Sequence, residues 1–412
     1  MTRKYIVVDL ETTGNAYYKG DRIIQLSAVA IEQFQIISQF TTFVNPGIPI
    51  PPFIGELTGI SDDMVLHAPP FEEVAGSIGE LLEDAVFVAH NVSFDLGFLK
   101  AELKEAGIKQ EYSDTIDTVE LAKILLPTAT SYKLSDLSEM LGLSHTNPHQ
   151  ADSDARVTAE LLLLLIDKAR ELPLVTLEKM AELAPSLKSG ISSLFEDLIA
   201  EKRSCTENLP EYLEVFRGIA LRKKSVSETS WNTAGFPPYP SSMDGKTALL
   251  SSGMPHYKLR EGQLEMMDYV FDAFSQDKHA AVEAGTGIGK SMGYLLPAVF
   301  FAMEKQEPII VSTHTIQMQD QLLNKEIPRL SYILPFPFQT AVLKGRNNYV
   351  NLLKFEQTLK NDDAQYDSVM SKLQLLVWLV STETGDMDEL NLTSGGRLYW
   401  QRVRHDGWFF KK

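Results

Sequence analysis

The apolar positions along the chain change their period several times, and each change marks an element. Residues 5–10 (YIVVDL) are an almost unbroken apolar run and predict a buried strand. Residues 22–31 and 34–44 predict two more strands within reach of hairpin connections. Proline and glycine break the pattern in NPGIPIPPF, a loop at 45–53. Helical spacing then covers 71–83 and 94–106, with a short strand at 85–89 between them. A short helix at 135–141 and a long one at 151–171 with a strongly apolar face follow. Strands first, alternation next and a closing helix last predict a mixed sheet flanked by helices.

Residues 172–224 keep helical patterns without recognisable chemistry, and 231–246 (WNTAGFPPYPSSMDGK) reads as a linker dense in Pro, Gly and Ser. After it the pattern resets. A helix at 260–274 precedes strands at 279–284, 309–312 and 339–343, with helices starting at 290 and covering 316–325. Such alternation predicts a second, parallel α/β domain. The expected division is 1–172, a helical connector and linker at 173–245, and a further domain at 246–412. No internal repeat is present.

Composition narrows the function classes. The 412 residues are 44% hydrophobic and 23% charged, a globular balance. A formal net charge of -17 excludes non-specific coating of a polyanion, so nucleic acid could be held only in a local groove or through metal cations. One cysteine, Cys205, excludes a disulfide framework within the chain, a cysteine-ligated zinc site and an all-cysteine iron–sulfur cluster. Asp9 and Glu11 interrupt the first apolar run too early for a signal peptide, and no apolar stretch reaches the roughly 20 residues of a membrane span. The expectation is a soluble, cytoplasmic protein without a membrane partner; oligomeric state is not legible.

The chemistry lies in carboxylates. Asp9 and Glu11 are two apart on a predicted strand and so share a face, where they can converge on one cation. Asp95 opens a helix after the strand at 85–89, and Asp154 lies in the first turns of the long helix. Hard oxygen ligands suit Mg²⁺ or Mn²⁺, and two such ions about 3.5–4 Å apart could clamp a scissile phosphate. His149, just before the long helix, could take the proton of an attacking water. Any one of these residues alone is unremarkable; their joint order and setting is the signal.

D-x-E-T-T-G, H-N-x-x-F-D and H-x-A-x-x-D, in that order, resemble the motifs of the DEDDh subgroup of DEDD exonucleases. The resemblance covers about residues 1–170 and implies an RNase H-like fold. It implies Asp9, Glu11, Asp95 and Asp154 as metal ligands, His149 as general base, and release of 5′-mononucleotides from a 3′ end of single-stranded DNA or RNA. Asp152 rivals Asp154, but the family spacing favours Asp154. Leu57 and Thr58, in GELTGIS, match a segment that approaches the terminal nucleotide in relatives, although core packing explains Leu57 equally well. Asn91 and Phe94 are expected to support the Asp95 turn.

A second motif, EAGTGIGKS, carries a phosphate-binding loop between a predicted strand and a predicted helix. Gly285, Thr286, Gly287 and Gly289 would turn backbone N–H groups toward phosphates, Lys290 would reach the outer ones, and Ser291 would bind Mg²⁺. Upstream, Gln263 stands where superfamily 2 helicases carry an adenine-reading glutamine. LKGRNNYVN at 343–351 resembles the DinG and XPD branch of those helicases, but Asn351 stands near the position of their first cluster-binding cysteine, so no iron–sulfur cluster is expected. A Walker B acidic pair is missing: Asp388 and Glu389 follow no apolar strand. Together the two parts resemble DinG-type exonuclease–helicase fusions of low-GC Gram-positive bacteria, with an RNase H-like domain followed by a partial RecA-like domain.

The expected function is therefore a metal-dependent 3′–5′ exonuclease with an ATP-binding, helicase-like module that holds substrate or regulates. The alternatives are an ATP-driven helicase or translocase in a longer chain with an accessory nuclease, and a non-catalytic module that holds nucleic-acid ends. Clustered Asp and Glu weigh against the last, since a pure binding surface favours Lys and Arg.

Overall fold

The computed structural model describes residues 3–109, 114–204, 208–224, 236–254, 257–361 and 363–406; Cys205, the early linker residues 231–235 and the terminal 407–412 lie outside them. The chain divides into two compact units, one of Met1–Ser225 with Gly345–Lys412 and one of Val226–Lys344.

The first unit is built on a five-stranded sheet. Its strands are β1 (Lys4–Thr12), β2 (Ile23–Glu32), β3 (Gln35–Phe43), β4 (Ala85–Ala89) and β5 (Thr115–Asp117), in the spatial order β3-β2-β1-β4-β5. β1 pairs antiparallel with β2, and β2 with β3, whereas β4 runs parallel to β1 and β5 parallel to β4. The expected mixed sheet is thus present, and its order is that of an RNase H-like fold. Short helices α1 (Pro52–Thr58) and α2 (Asp62–Val65) precede α3 (Phe71–Leu82) and α4 (Val92–Glu105), and α5 (Thr118–Leu125) and α6 (Leu134–Leu141) lead to the long α7 (Ala151–Glu171).

Strand alternation sends successive β1 residues to opposite cores. Ile6, Val8 and Leu10 pack with residues of α3 and α4, while Tyr5 and Val7 pack with residues of α5 and α7. Asp9 and Glu11 continue the second series, which aims them toward the face that carries α7.

Helices α8 (Leu174–Leu183) and α9 (Ile191–Ser204) bear out the helical pattern after 172, but it ends in an antiparallel hairpin, β6 (Leu213–Phe216) with β7 (Ile219–Arg222). In the second unit α10 (Met243–Gly253), α11 (Glu261–Ser275) and α12 (Lys290–Lys305) surround an apolar core that includes Leu250, Leu264, Met267 and Leu296. The helix expected at 316–325 is α13 (Ile316–Gln321), which runs through a π-turn into α14 (Ile327–Ile333).

Two expectations need correction. The strands at 279–284, 309–312 and 339–343 do not form, and among the described residues the second unit contains no strand. An apolar run becomes a strand only when a neighbour supplies ladder hydrogen bonds. Lacking one, Ile310 and Leu343 are 91% and 84% exposed, and a cavity of about 670 Å³ separates α12 from residues 308–313 and 338–343. The described residues therefore show no paired RecA-like sheet.

The other correction concerns residues 345–412. They belong with the nuclease-like unit and not with the domain expected to begin at 246. There α15 (Leu352–Leu359), α16 (Tyr366–Trp378) and α17 (Ser394–Val403) join the core of α5, α7 and α8. Every α16 residue from Ser368 to Trp378 is buried, so this helix requires neighbours on all sides. Gln374 Nε2 donates to Lys123 O (3.0 Å), and the Asn391 N–H donates to Pro127 O (2.9 Å).

Candidate active site

Asp9, Glu11 and Asp154 each place a carboxylate oxygen so that all three lie within 4.8 Å of one another. Two come from β1 and one from the first turns of α7. The α7 start is tied to the sheet by two glutamines that the motifs do not reveal. Gln25, which faces Glu11 across β1–β2, accepts the Ala151 N–H (3.1 Å), and Gln39 Nε2 donates to Asp152 O (2.8 Å). Asp152 itself is exposed and outside the cluster, which contains Asp154.

Asp95 arrives from α4. It is 4% exposed, and its Oδ1 accepts the Leu10 N–H at 3.1 Å. That N–H lies between the two β1 carboxylates, beyond the Val7–Val88 end of the β1–β4 pairing, so Asp95 takes the place of the next strand residue. The turn before α4 places Asn91 at a φ of 84°, and Asp117 accepts both the Asn91 and Val92 N–H groups while capping α5. Asp117 is a third positioning residue that motif reading misses; an Asp directly before a helical run is its only signal.

The electrostatics are those of a cation site. Burial, and then the charges of Asp95, Asp154 and Glu11, push Asp9 well above the usual carboxylate range. Burial and Asp154 push Glu11 up to about 7, and burial raises Asp95 against the pull of its backbone hydrogen bonds. Among the described residues no lysine or arginine pairs with any of the four. A compact set of hard oxygen donors without a compensating cation fits a divalent metal ion.

The histidines divide unexpectedly. His145 Nε2 lies 2.6 Å from Asp154 Oδ1, with Ser138 Oγ at 3.3 Å from its Nδ1. His149 gives Asp154 Oδ2 its backbone N–H (3.2 Å), sits at a φ of 64°, and is exposed. Leu57 is 52% exposed, which removes core packing as its explanation, whereas Thr58 is buried and spends its hydroxyl on Ile54 O and the Ile60 N–H. Phe94 packs its ring 5.2 Å from that of Phe98 on α4.

In the second unit Gly287 and Gly289 hold φ values of 82° and 88°, and Gly289 caps α12, whose first residues are Lys290 and Ser291. Gly285, Thr286 and Gly287 are exposed, and Lys290 Nζ rests on Ala284 O at 3.1 Å. Gln263 sits against the phosphate loop itself. It is 3% exposed, its Nε2 donates to Gly289 O (2.8 Å), and its Oε1 accepts from Tyr257 (3.2 Å), so both ends of the amide brace the loop. Glu389 accepts from Trp378 Nε1 and Thr382 in the first unit, away from the phosphate loop in sequence and in unit.

Residues 6–162 match the family model for Exonuclease (RNase_T). Over 412 residues the chain is 44% identical to the 3′-5′ exonuclease DinG of Bacillus subtilis, a match covering 100% of this chain and 44% of that protein. It is 35% identical to the 3′-5′ exonuclease DinG of Staphylococcus aureus, covering 98% of this chain and 45% of that one. The chain thus spans less than half the length of these curated relatives. Among solved structures it is similar to the nuclease domain of 3′hExo, described as a DEDDh family member bound to rAMP (20% identity, 42% of this chain, 96% of that chain, TM-score 0.38). Residues 6–162 are thus similar in sequence to the Exonuclease (RNase_T) family, and the chain along its whole length is similar to 3′-5′ exonuclease DinG proteins.

Proposed function

We propose that this chain removes 5′-mononucleotides from the 3′ end of single-stranded DNA or RNA by metal-dependent hydrolysis. The observation that carries this reading is the convergence of Asp9, Glu11 and Asp154 within 4.8 Å, with Asp95 locked against Leu10 behind them. Mg²⁺ or Mn²⁺ held by these oxygens supplies positive charge for the attacking and leaving oxygens of a phosphodiester. Asp9, Glu11, Asp95 and Asp154 hold it, and His149 receives the proton of the attacking water once its loop turns inward. The phosphate loop binds ATP through Gly285 to Ser291 and either holds substrate or modulates the nuclease. ATP hydrolysis by this chain is not expected, since the acidic pair Asp388-Glu389 follows no apolar strand in the sequence.

A 5′-labelled single-stranded DNA, digested beside its RNA equivalent with Mn²⁺, with Mg²⁺ and with EDTA, tests the reading. A metal-dependent ladder shrinking from the 3′ end, absent in Asp9→Ala, supports it. No digestion of either strand with both metals overturns it. The intact phosphate loop favours one second reading, a translocase in a longer protein; nucleic-acid-stimulated ATP hydrolysis lost in Lys290→Ala would support that one.

A further inference from the structure

Four aromatic rings lie on or against α4, the helix that carries Asp95, and reach out to solvent. Phe94 and Phe98 flank Asp95 on α4, and Asp95 and Phe98 are one helical turn apart on the same side. Tyr17, in a short 3-10 turn (Tyr17–Lys19) of the β1–β2 connection, sets its ring edge-on to Phe98 at 5.8 Å and to Tyr18 at 5.9 Å. Phe94 is half-buried, and from Phe98 outward exposure rises from 1% to 48% at Tyr17 and 75% at Tyr18. Lys19 Nζ stands 5.9 Å from the Tyr18 ring centre.

The connection is braced to hold these rings outward. At its base the Thr13 N–H donates to Arg22 O (2.8 Å), and the Arg22 N–H donates to Thr13 Oγ1 (2.9 Å). Asp21 accepts the Ala16 N–H (2.9 Å), and Gly20 closes the turn at a φ of 95°. Arg22 then ties the connection to α4 through Glu102 and Glu105. A hairpin fixed at its base and docked on the helix that carries Asp95 displays two tyrosines at little further cost in order.

We infer that Tyr17 and Tyr18 form a stacking platform for unpaired bases of the strand whose 3′ end lies at the acidic centre. This rests on the exonuclease reading above. Charge decides between a phosphate clamp and a base platform. The chain carries a net -17, and Arg22 in this connection is already paired with two glutamates, which leaves Lys19. Phosphate contacts of that number give weak affinity, whereas every base offers a face to an aromatic ring whatever its identity. Stacking therefore suits an enzyme that must accept each base in turn.

The test uses the full chain and the double variant Tyr17→Ala/Tyr18→Ala. Two substrates are compared with Mn²⁺: the p-nitrophenyl ester of thymidine 5′-monophosphate, which has one base, and an oligothymidylate of about 12 nucleotides, long enough to cover an aromatic platform. The variant should raise KM for the oligonucleotide about 10- to 100-fold, and by at least about tenfold more than for the ester. Tyr18→Trp should bind the oligonucleotide at least as well as the parent, and the salt dependence of KM should stay shallow in all forms. An equal loss on both substrates, or none on the oligonucleotide, overturns the platform. If the parent cleaves neither substrate, the exonuclease reading fails by itself. Binding of a fluorescein-labelled oligothymidylate in EDTA then still decides the platform, which is overturned when parent and double variant bind alike.

Discussion

His145, and not His149, holds its imidazole against Asp154, at 2.6 Å, while His149 offers the same carboxylate only a backbone N–H at 3.2 Å. On the proposed mechanism His145 orients a metal-ligand candidate and His149 receives the proton. His149 also holds a left-handed φ of 64°, uncommon for a residue with a side chain. His149→Ala should therefore lower kcat by about 10²- to 10⁴-fold with metal saturating. His145→Ala should mainly raise the metal concentration needed for half-maximal rate. Steady-state rates across a Mn²⁺ titration separate the two, and the reverse pattern would assign the base to His145.

Metal binding should be visible in stability before any activity is measured. Burial and three neighbouring carboxylates all disfavour the charged form of Asp9. Asp9→Asn removes that repulsion, so the variant should melt above the parent in EDTA. Mn²⁺ at about a hundred times its Kd should stabilise the parent by about 2–3 kcal/mol and the variant by clearly less. Thermal melts with and without metal check both signs; equal metal shifts would place the ion elsewhere.

Trp378 ties residues 345–412 to the nuclease core. It is fully buried, and its indole N–H donates to Glu389 at 2.8 Å. Trp378→Ala should cost about 3–5 kcal/mol. Because α16 shares one core with α5 and α7, the loss should appear in the unfolding of the exonuclease unit. Urea curves read by nuclease activity would show it; an unaffected midpoint would mean that these residues fold apart from the nuclease.

His90 predicts a pH effect. Its ring sits between Thr118 Oγ1 (2.9 Å) and Tyr132 O (3.0 Å). Burial lowers its pKa, opposed more weakly by the Tyr132 carbonyl and by the charges of Asp117 and Asp154. The folded chain therefore binds this proton less readily than the unfolded chain, whose imidazole titrates near about 6.5. The stability it contributes is complete above that value and is lost as pH falls toward the folded pKa. Between pH 7.5 and about 5.5 the parent should lose more stability than His90→Gln. Parallel curves for the two proteins would refute the assignment.

Much of the exonuclease unit was legible along the chain. The apolar run at 5–10 is β1, the spacing at 71–83 is α3, and that at 151–171 is α7. The D-x-E spacing alone places Asp9 and Glu11 on one strand face, because that alternation is a local property of the backbone. What brings Asp154 to them is not local. It depends on Gln25 and Gln39 anchoring the start of α7 across the sheet, and on Asp95 closing the end of β1.

Residues 345–412 and the unpaired segments of the second unit show the boundary most clearly. Periodicity reports which face of an element is apolar, and burial is non-directional, so the pattern in α16 could not say whose core it would enter. Likewise the runs at 279–284, 309–312 and 339–343 have the composition of strands, but a strand exists only where another chain segment completes its ladder. The sequence by itself determined the elements and the chemistry of the carboxylates, both set by neighbours in the chain. Tertiary structure alone decided which histidine meets Asp154, which residues brace the phosphate loop and where the C-terminal helices pack, because each depends on contacts between segments far apart in sequence.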